Sequence, residues 1–413
     1  MFDVMSVGTE VTQKMPTGYF FWRVQDVAGA ASSWTSPWEM RIRRQFPGYA
    51  PAVSTSAGTF SDYNGDGYPD VAVFGAAPII YLGGPDGISN NRVWRTQPNA
   101  VPYSDLGRLL MEPQVDVNGD GFTDLSSRQA ISVAGQDWPT YAAEIQFGAS
   151  GGLAGTDALV DVVTSYYPLF IDEPLGLGDI DGDGFGDLIM QLRYGAEVIR
   201  GCTPAPPNAV WASLVCGNCQ LQQVATGDFD GDGRTDVIFA DGTGIDLYMG
   251  TPTPPTPIGI NGMSGLWVID FNYDGYSDLV IWDQLPTNTL RAYEGGPNGL
   301  SPTPSTAAQP AAFVMVGDFD GDGYWDTIGP SCSASGCPTV TSVAYGGPGD
   351  WGAPPTRTTP MDRSIADSAA IVVDVNRDGY DDLLVPGTGN TTLSWYAGSP
   401  SGLSSVPTVV VTP

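Results

Sequence analysis

One nine-residue pattern, repeated seven times, constrains the fold of this chain more than any other feature. The pattern is Asp-x-Asp/Asn-x-Asp-Gly-x-x-Asp, and its copies start 42 to 63 residues apart, 52 on average. We call the copies loops 1 to 7 and number their residues positions 1 to 9; the loops span residues 62–70, 116–124, 179–187, 228–236, 270–278, 318–326 and 374–382. A period of this length predicts small units that fold only by packing on their neighbours.

The residue types in the loops predict calcium binding. Positions 1, 3, 5 and 9 offer hard oxygen ligands, position 7 can add its backbone carbonyl, and Gly at position 6 permits the sharp turn. The sequence therefore predicts up to seven Ca²⁺ ions. The predicted ligands are Asp62, Asn64, Asp66, Tyr68, Asp70, Asp116, Asn118, Asp120, Phe122, Asp124, Asp179, Asp181, Asp183, Phe185, Asp187, Asp228, Asp230, Asp232, Arg234, Asp236, Asp270, Asn272, Asp274, Tyr276, Asp278, Asp318, Asp320, Asp322, Tyr324, Asp326, Asp374, Asn376, Asp378, Tyr380 and Asp382.

Ordinary Asp-Gly turns without metal are the simpler alternative, but they need only one acidic residue. Each loop instead brings three or four carboxylates together, and like charges ~4 Å apart repel by several kcal/mol at an effective dielectric near 20. An EF-hand is excluded, since position 12 is never Glu and no helices are indicated on either side. Loops 3, 4 and 6 carry Asp at position 3, so we expect these four-carboxylate loops to bind calcium most tightly.

The segments around the loops predict β-strands. Short apolar runs precede position 1 and follow position 9, as in residues 370–373 and 383–385, which predicts a strand–loop–strand hairpin. Further along each repeat, a third segment ends in an aromatic or apolar residue before Gly, as in 80–83, and a fourth closes the unit, as in 407–411. Four strands in ~50 residues make one propeller blade. The fold class predicted is all-β, a seven-bladed β-propeller over residues 51–413 with a short β-hairpin segment before it.

The repeats resemble the FG-GAP/VCBS repeats of integrin-α-type β-propellers, which carry similar DxDxDGxxD loops between the first two strands of their blades. The run Val73-Phe74-Gly75-Ala76 after loop 1 is close to the FG-GAP signature of that family. The resemblance covers about 360 residues (51–413) and implies the fold and the calcium sites. It also implies an extracellular or cell-surface role in adhesion or ligand binding.

Residues 1–50 hold no loop of this kind and are predicted to be a separate segment. Two alternating stretches, 16–24 and 34–42, are joined by a Gly/Ser-rich turn. They resemble the last two strands of a fibronectin type III or immunoglobulin-like domain, which needs about 100 residues in all. One hypothesis is that the sequence starts late within a longer secreted protein, since no signal peptide is visible. The alternative is a hairpin that packs on the propeller.

Composition excludes several classes of function. The chain of 413 residues has 46 acidic and 16 basic residues, of which Lys14 is the one lysine, and its net charge is −30. Such a chain is repelled by phosphate backbones, so nucleic acid is not an expected partner. There is no histidine, so no His-based nucleophile or His-ligated zinc exists. No apolar run approaches the ~20 residues of a membrane span.

The five cysteines are consistent with an extracellular chain. Cys332 and Cys337 flank a short turn and are predicted to form a disulfide. Cys202 is expected to pair with Cys216 or Cys219, and which of the three stays unpaired is left open. Cys216 and Cys219 could instead be half of a redox or zinc site, but the chain has no second pair of this spacing.

The sequence favours a function in binding or adhesion, with a protein or a glycan as the partner. We expect the propeller to be monomeric. The alternatives are a polysaccharide lyase or hydrolase that uses carboxylates, and a structural spacer in a larger surface protein. An enzyme is not expected, because 24 of the 39 Asp occupy predicted ligand positions of the loops and the seven Glu are scattered outside any recognisable acid–base motif. Aromatic residues that could stack on sugars, or else fill blade interfaces, are Trp138, Tyr166, Tyr167 and Trp351.

Overall fold

The computed structural model describes the chain in segments that include all seven loops, apart from residues 184 and 273. The described residues are 18–22, 38–42, 62–73, 79–89, 92–94, 115–131, 140–163, 175–183, 185–192, 195–201, 210–215, 221–241, 245–250, 256–258, 265–272, 274–283, 289–308, 315–330, 341–347, 356–361, 371–386 and 392–411. Within them the regular elements are β-strands. The described residues include no helix long and apolar enough to cross a membrane.

The first two strands form the predicted hairpin near the N-terminus. Strand β1 (Gly18–Trp22) pairs antiparallel with β2 (Trp38–Ile42), with Trp22 opposite Trp38. The hairpin itself is therefore confirmed. Its likeness to a fibronectin type III domain, and the boundary between residues 50 and 51, stay predictions.

Seven small antiparallel sheets follow, and in each of them the strands pair in sequence order. Sheets 1 and 2 have three described strands and sheets 3 to 7 have four. Sheet 1 is β3 (Val71–Val73), β4 (Ile79–Tyr81) and β5 (Arg92–Trp94); sheet 2 is β6 (Leu125–Ile131), β7 (Thr140–Ala149) and β8 (Gly152–Val163); sheet 3 is β9 (Leu175–Gly178), β10 (Asp187–Leu192), β11 (Gly195–Ile199) and β12 (Val210–Val215).

Sheets 4 to 7 repeat the four-stranded meander of sheet 3. Sheet 4 is β13 (Leu221–Gly227), β14 (Asp236–Asp241), β15 (Ile245–Tyr248) and β16 (Thr256–Ile258); sheet 5 is β17 (Gly265–Ile269), β18 (Asp278–Asp283), β19 (Thr289–Tyr293) and β20 (Ser305–Ala308). Sheet 6 is β21 (Met315–Gly317), β22 (Asp326–Pro330), β23 (Thr341–Tyr345) and β24 (Arg357–Pro360); sheet 7 is β25 (Ile371–Val373), β26 (Asp382–Pro386), β27 (Thr392–Tyr396) and β28 (Thr408–Val411).

Each loop occupies the same place in its sheet. Loops 3 to 7 connect the first and second strands, and position 9 is the first residue of the second strand. In loop 6, Gly317 pairs with Asp326 across the base of the hairpin. Loops 1 and 2 lead directly into β3 and β6. The predicted strand–loop–strand unit is thus confirmed where both strands are described.

Contacts between the sheets run in a closed cycle. Among the described residues, apolar clusters join six of the seven neighbouring pairs of sheets, and a 3.0 Å hydrogen bond from the Thr235 amide to the Asp179 carbonyl joins sheets 3 and 4. Sheet 7 packs on sheet 1 through Val373, Leu384 and Leu393 against Val71 and Tyr81. The other clusters each contain side chains from two neighbouring blades. They include Ile80 and Leu125 for blades 1 and 2, Ile145 and Leu188 for 2 and 3, Phe229 and Leu279 for 4 and 5, Val280 and Val316 for 5 and 6, and Phe319 and Leu383 for 6 and 7. This cycle is consistent with the predicted seven-bladed propeller.

Candidate metal centres

Each loop folds around its own acidic side chains. In all seven, the side-chain oxygen of position 3 accepts a hydrogen bond from the amide of position 5, and the carboxylate of position 5 accepts one from the amide of position 7. In loop 1, the Asp62 carboxylate accepts from the amides of Asp66 and Gly67 at 3.1 and 2.8 Å. These bonds fold each loop into a tight turn in which backbone amides point at the acidic side chains.

The Asp at position 9 is the buried anchor of every loop. One of its oxygens accepts from the amide of position 2, at 2.8 to 3.1 Å in all seven loops. In six loops the second oxygen accepts from a glycine amide that lies at or just after the end of the strand following the one that begins at or beside position 9, namely Gly83, Gly148, Gly201, Gly295, Gly346 and Gly398. In these six loops position 9 thus ties the start of its loop to the next strand of the same sheet.

Five of those glycines, all except Gly201, were identified in the sequence as the ends of third segments, but their role was missed. A Cβ at any of them would collide with the backbone carbonyl of position 8, for example Trp325 for Gly346. Only glycine lets the third strand approach close enough to donate its amide to position 9. The recurrence of Gly at this place in the repeat was the available signal.

Three loops bring three carboxylate oxygens within 4.8 Å of one another, and each contains the Asp residues of positions 1, 3 and 9. These groups are Asp179, Asp181 and Asp187; Asp228, Asp230 and Asp236; and Asp318, Asp320 and Asp326. They are the three loops with Asp at position 3. In the other four loops position 3 is Asn, and its amide donates to the carboxylate of position 5 at 2.9 to 3.1 Å.

Loop 4 provides a test of whether a cation fits. Asp236 is fully buried, and its Oδ1 has no hydrogen-bond partner among the described residues. A buried carboxylate oxygen without a partner is costly unless a cation or a donor faces it. The group around it consists of carboxylate oxygens alone, which are the ligands that Ca²⁺ prefers. The residues present therefore fit a calcium ion.

Burial makes the carboxylates of position 9 hard to ionise without a cation. Burial, together with neighbouring loop carboxylates, raises the pKa of Asp70, Asp124, Asp187, Asp326 and Asp382 to about 8, although backbone amide donors oppose the shift. The same causes raise the pKa of Asp236 and Asp278 to about 7. A divalent cation would offset this repulsion by supplying the missing positive charge.

These shifts predict an unusual pH dependence in EDTA. A carboxyl whose folded pKa lies above its unfolded value binds more protons when folded, so its contribution to the free energy of unfolding is largest at low pH. That contribution is lost as pH rises through about 8, the pKa of groups such as Asp326. We expect the Tm in EDTA to fall between pH 5 and pH 9, while excess calcium removes most of that fall. A Tm in EDTA that rises over this range would contradict the assignment.

Adjacent loops are linked to one another. The ring of Phe122, at position 7 of loop 2, lies so close to Gly65 of loop 1 that a Cβ there would be 2.7 Å from it. Position 7 of loops 3, 4, 5 and 7 packs in the same way on position 4 of the preceding loop. Between loops 7 and 1, the Arg377 guanidinium lies 5.8 Å from the centre of the Tyr68 ring.

Backbone hydrogen bonds strengthen the same connections. The amide of position 8 donates to the carbonyl of position 1 of the preceding loop at 2.8 to 3.0 Å, in loops 2, 3, 4, 5 and 7. In loop 6, the indole of Trp325 donates to the Asp270 carbonyl instead, at 2.9 Å. Because position 1 is also a predicted ligand, a cation in one loop would stabilise the junction with the next blade.

In loops 3, 4 and 6 the structure thus brings together the predicted carboxylate ligands of positions 1, 3 and 9. Their binding of calcium stays a prediction, as does the use of the position 7 carbonyl. What the sequence missed is the packing role of the position 7 side chain, which is aromatic in every loop except loop 4, where it is Arg234. The five cysteines and the aromatic candidates Trp138, Tyr166, Tyr167 and Trp351 lie outside the described residues.

The sequence and the structure of the chain were compared with those of known proteins. The FG-GAP-like repeat family matches residues 228–281 and 270–328, which contain loops 4, 5 and 6. No curated protein sequence matches the chain. Among solved structures, BBS1N in complex with ARL6DN is 12% identical with a TM-score of 0.44, covering 90% of this chain and 97% of that chain. A lectin from Agrocybe aegerita, solved for its recognition of non-reducing terminal N-acetylglucosamine, is 15% identical with a TM-score of 0.47, covering 84% and 90%.

Antiparallel meander sheets that contact one another in a closed cycle define a β-propeller. The family match identifies residues 228–281 and 270–328 as FG-GAP-like repeats. The chain is an all-β propeller that contains FG-GAP-like repeats.

Proposed function

We propose that the chain is a calcium-stabilised β-propeller that serves as an extracellular binding or adhesion module. The observation that carries this proposal is the buried carboxylate of position 9, repeated in all seven loops beside the acidic groups of positions 1 and 5. A fold gains nothing from burying repelling carboxylates seven times unless a cation compensates for them. FG-GAP-like repeats are also typical of extracellular proteins.

In each loop, the side chains of positions 1, 3, 5 and 9 and the carbonyl of position 7 would hold the ion. Calcium would supply positive charge to a site that has only oxygen ligands. The chain's own residues do the remaining work. Position 9 fixes the second and third strands of its blade, and positions 7 and 8 fix the neighbouring blade. The proposed role of calcium is therefore to hold the propeller rigid so that its surface can bind a partner.

The proposed setting is outside the cell, for a physical reason. Loops that bind calcium weakly fill only where calcium is near millimolar, and extracellular modules bind with Kd of about 0.1 to 1 mM. We propose a protein or glycan as the partner and a binding role without catalysis, since most of the carboxylates are committed to the loops. A lyase or hydrolase acting on polysaccharide, or a structural spacer, is the alternative.

A binding experiment separates these possibilities. The purified chain would be applied to an array of glycans and extracellular proteins, once in millimolar calcium and once in EDTA. We expect retention on at least one glycan or protein in calcium, and its loss in EDTA. Cleavage of a bound polysaccharide would favour the enzyme. Failure to bind any of the arrayed glycans or proteins would contradict the binding role and favour a spacer.

A further inference from the structure

In two of the loops with Asp at position 3, an arginine forms an ion pair with that Asp. In loop 6, a guanidinium nitrogen (Nη2) of Arg357 lies 2.7 Å from Oδ2 of Asp320. In loop 3, Arg200 contacts the carboxylate of Asp181 directly and lies 3.5 Å from that of Asp183. Both arginines come from outside the loop sequence: Arg357 is the first residue of β24, and Arg200 directly follows β11.

The position of Arg357 is fixed by more than its ion pair. Its other terminal nitrogen (Nη1) donates to the Ser401 carbonyl of sheet 7 at 2.6 Å. Its guanidinium also lies 3.7 Å from the centre of the Tyr345 ring. The hydroxyl of Tyr345 in turn accepts from the amide of Leu403 at 2.9 Å. An arginine held in this way keeps its charge beside Asp320, whose side chain is only 12% exposed.

Loop 4 lacks this arrangement, although it also has Asp at position 3. Among the described residues, no arginine forms an ion pair with Asp230. The arginine within the loop, Arg234, lies 3.9 Å from Asp232 at position 5, and both side chains are 44% exposed. An exposed pair at that distance is screened by water and contributes little. Loop 4 therefore keeps four carboxylates with little local compensation.

We propose that Arg357 and Arg200 are built-in counter-charges that lower the calcium affinity of loops 6 and 3 and leave loop 4 the tightest site. The inference rests on the calcium sites proposed above. One arginine reduces four negative charges to a net three, the value of the Asn-containing loops. It also holds one oxygen of position 3 and repels an approaching dication. The sequence predicted that loops 3, 4 and 6 bind calcium most tightly. With the two arginines, we expect the highest affinity in loop 4 alone.

Calcium titration of the whole chain by isothermal calorimetry tests this inference. The loop 6 component of the isotherm is identified by its loss in D326N. Removing the arginine charge in R357Q should tighten that component by roughly three- to tenfold, because a unit charge a few ångströms away acts through partly exposed surroundings. The same tightening should be absent in the double variant R357Q/D326N, where loop 6 no longer binds.

Two further variants control for charge and for position. R357K keeps the charge on β24, so its affinity should stay close to that of the wild type. R291Q removes an arginine from β19, outside the loops, and should leave the loop 6 component unchanged. Equal tightening in R291Q and R357Q would overturn the inference, as would no tightening in R357Q while the wild type binds calcium. If the wild type bound no calcium at all, the proposed sites themselves would be wrong as well.

Discussion

Removing calcium with EDTA is expected to lower the Tm of this protein by roughly 10–20 °C. A site with Kd ~0.1 mM in ~1 mM calcium adds about 1.4 kcal/mol to the free energy of unfolding. Seven such sites approach 10 kcal/mol, which is comparable to the whole stability of many domains. The effect is large because loops 3 to 7 each join the first two strands of their blade, and adjacent loops contact one another.

Thermal unfolding followed by circular dichroism measures this effect. Calcium added in excess over EDTA should restore the original Tm, which excludes damage by the chelator. Magnesium at the same concentration should restore it only in part, since Mg²⁺ keeps its waters and prefers fewer protein ligands. An unchanged Tm in EDTA would show that calcium has no structural role.

The second large effect is expected from Asp326→Asn. Asp326 is fully buried and accepts the amides of Phe319 and Gly346 at 2.8 and 2.9 Å. An asparagine has one oxygen, so its amide nitrogen would face a backbone donor and leave that donor unsatisfied, at a cost of about 1–3 kcal/mol. With the lost calcium site, we expect the free energy of unfolding in calcium to fall by about 2–4 kcal/mol. In EDTA the loss should be smaller, because no calcium site is then lost by the substitution.

Asp320→Asn is the matched control in the same loop. Position 3 is already Asn in loops 1, 2, 5 and 7, where its amide donates to the carboxylate of position 5. The substitution should therefore be accommodated, and the partly exposed pair with Arg357 contributes at most about 1 kcal/mol. Urea unfolding of both variants in calcium provides the comparison. Equal destabilisation by the two substitutions would contradict the special role of position 9.

Much of the fold could be predicted because the information is local. The apolar runs on either side of a loop, such as those that become β25 and β26, are separated by a pattern that requires a tight turn. Seven copies at a regular interval then require the units to pack on one another. The loop side chains converge for the same reason, since alternate residues around one turn point inward.

The features that the sequence did not show depend on residues far apart in the chain. Arg357 reaches Asp320 from 37 positions away, and nothing near either residue signals the pair. The packing of position 7 on the preceding loop joins residues of two blades, so a single loop gives no sign of it. A comparison of the repeats gives a partial signal, because an aromatic residue that recurs in a metal loop needs a partner to pack on.

Counting the bound calcium ions tests the central claim most directly. The chain would be dialysed to equilibrium against several millimolar calcium, and the metal per chain measured by mass spectrometry. Seven repeated loops with oxygen ligands predict close to seven ions per chain. The number should fall by one in D326N. A chain that retained no calcium, or a single ion, would contradict the proposed role of the loops.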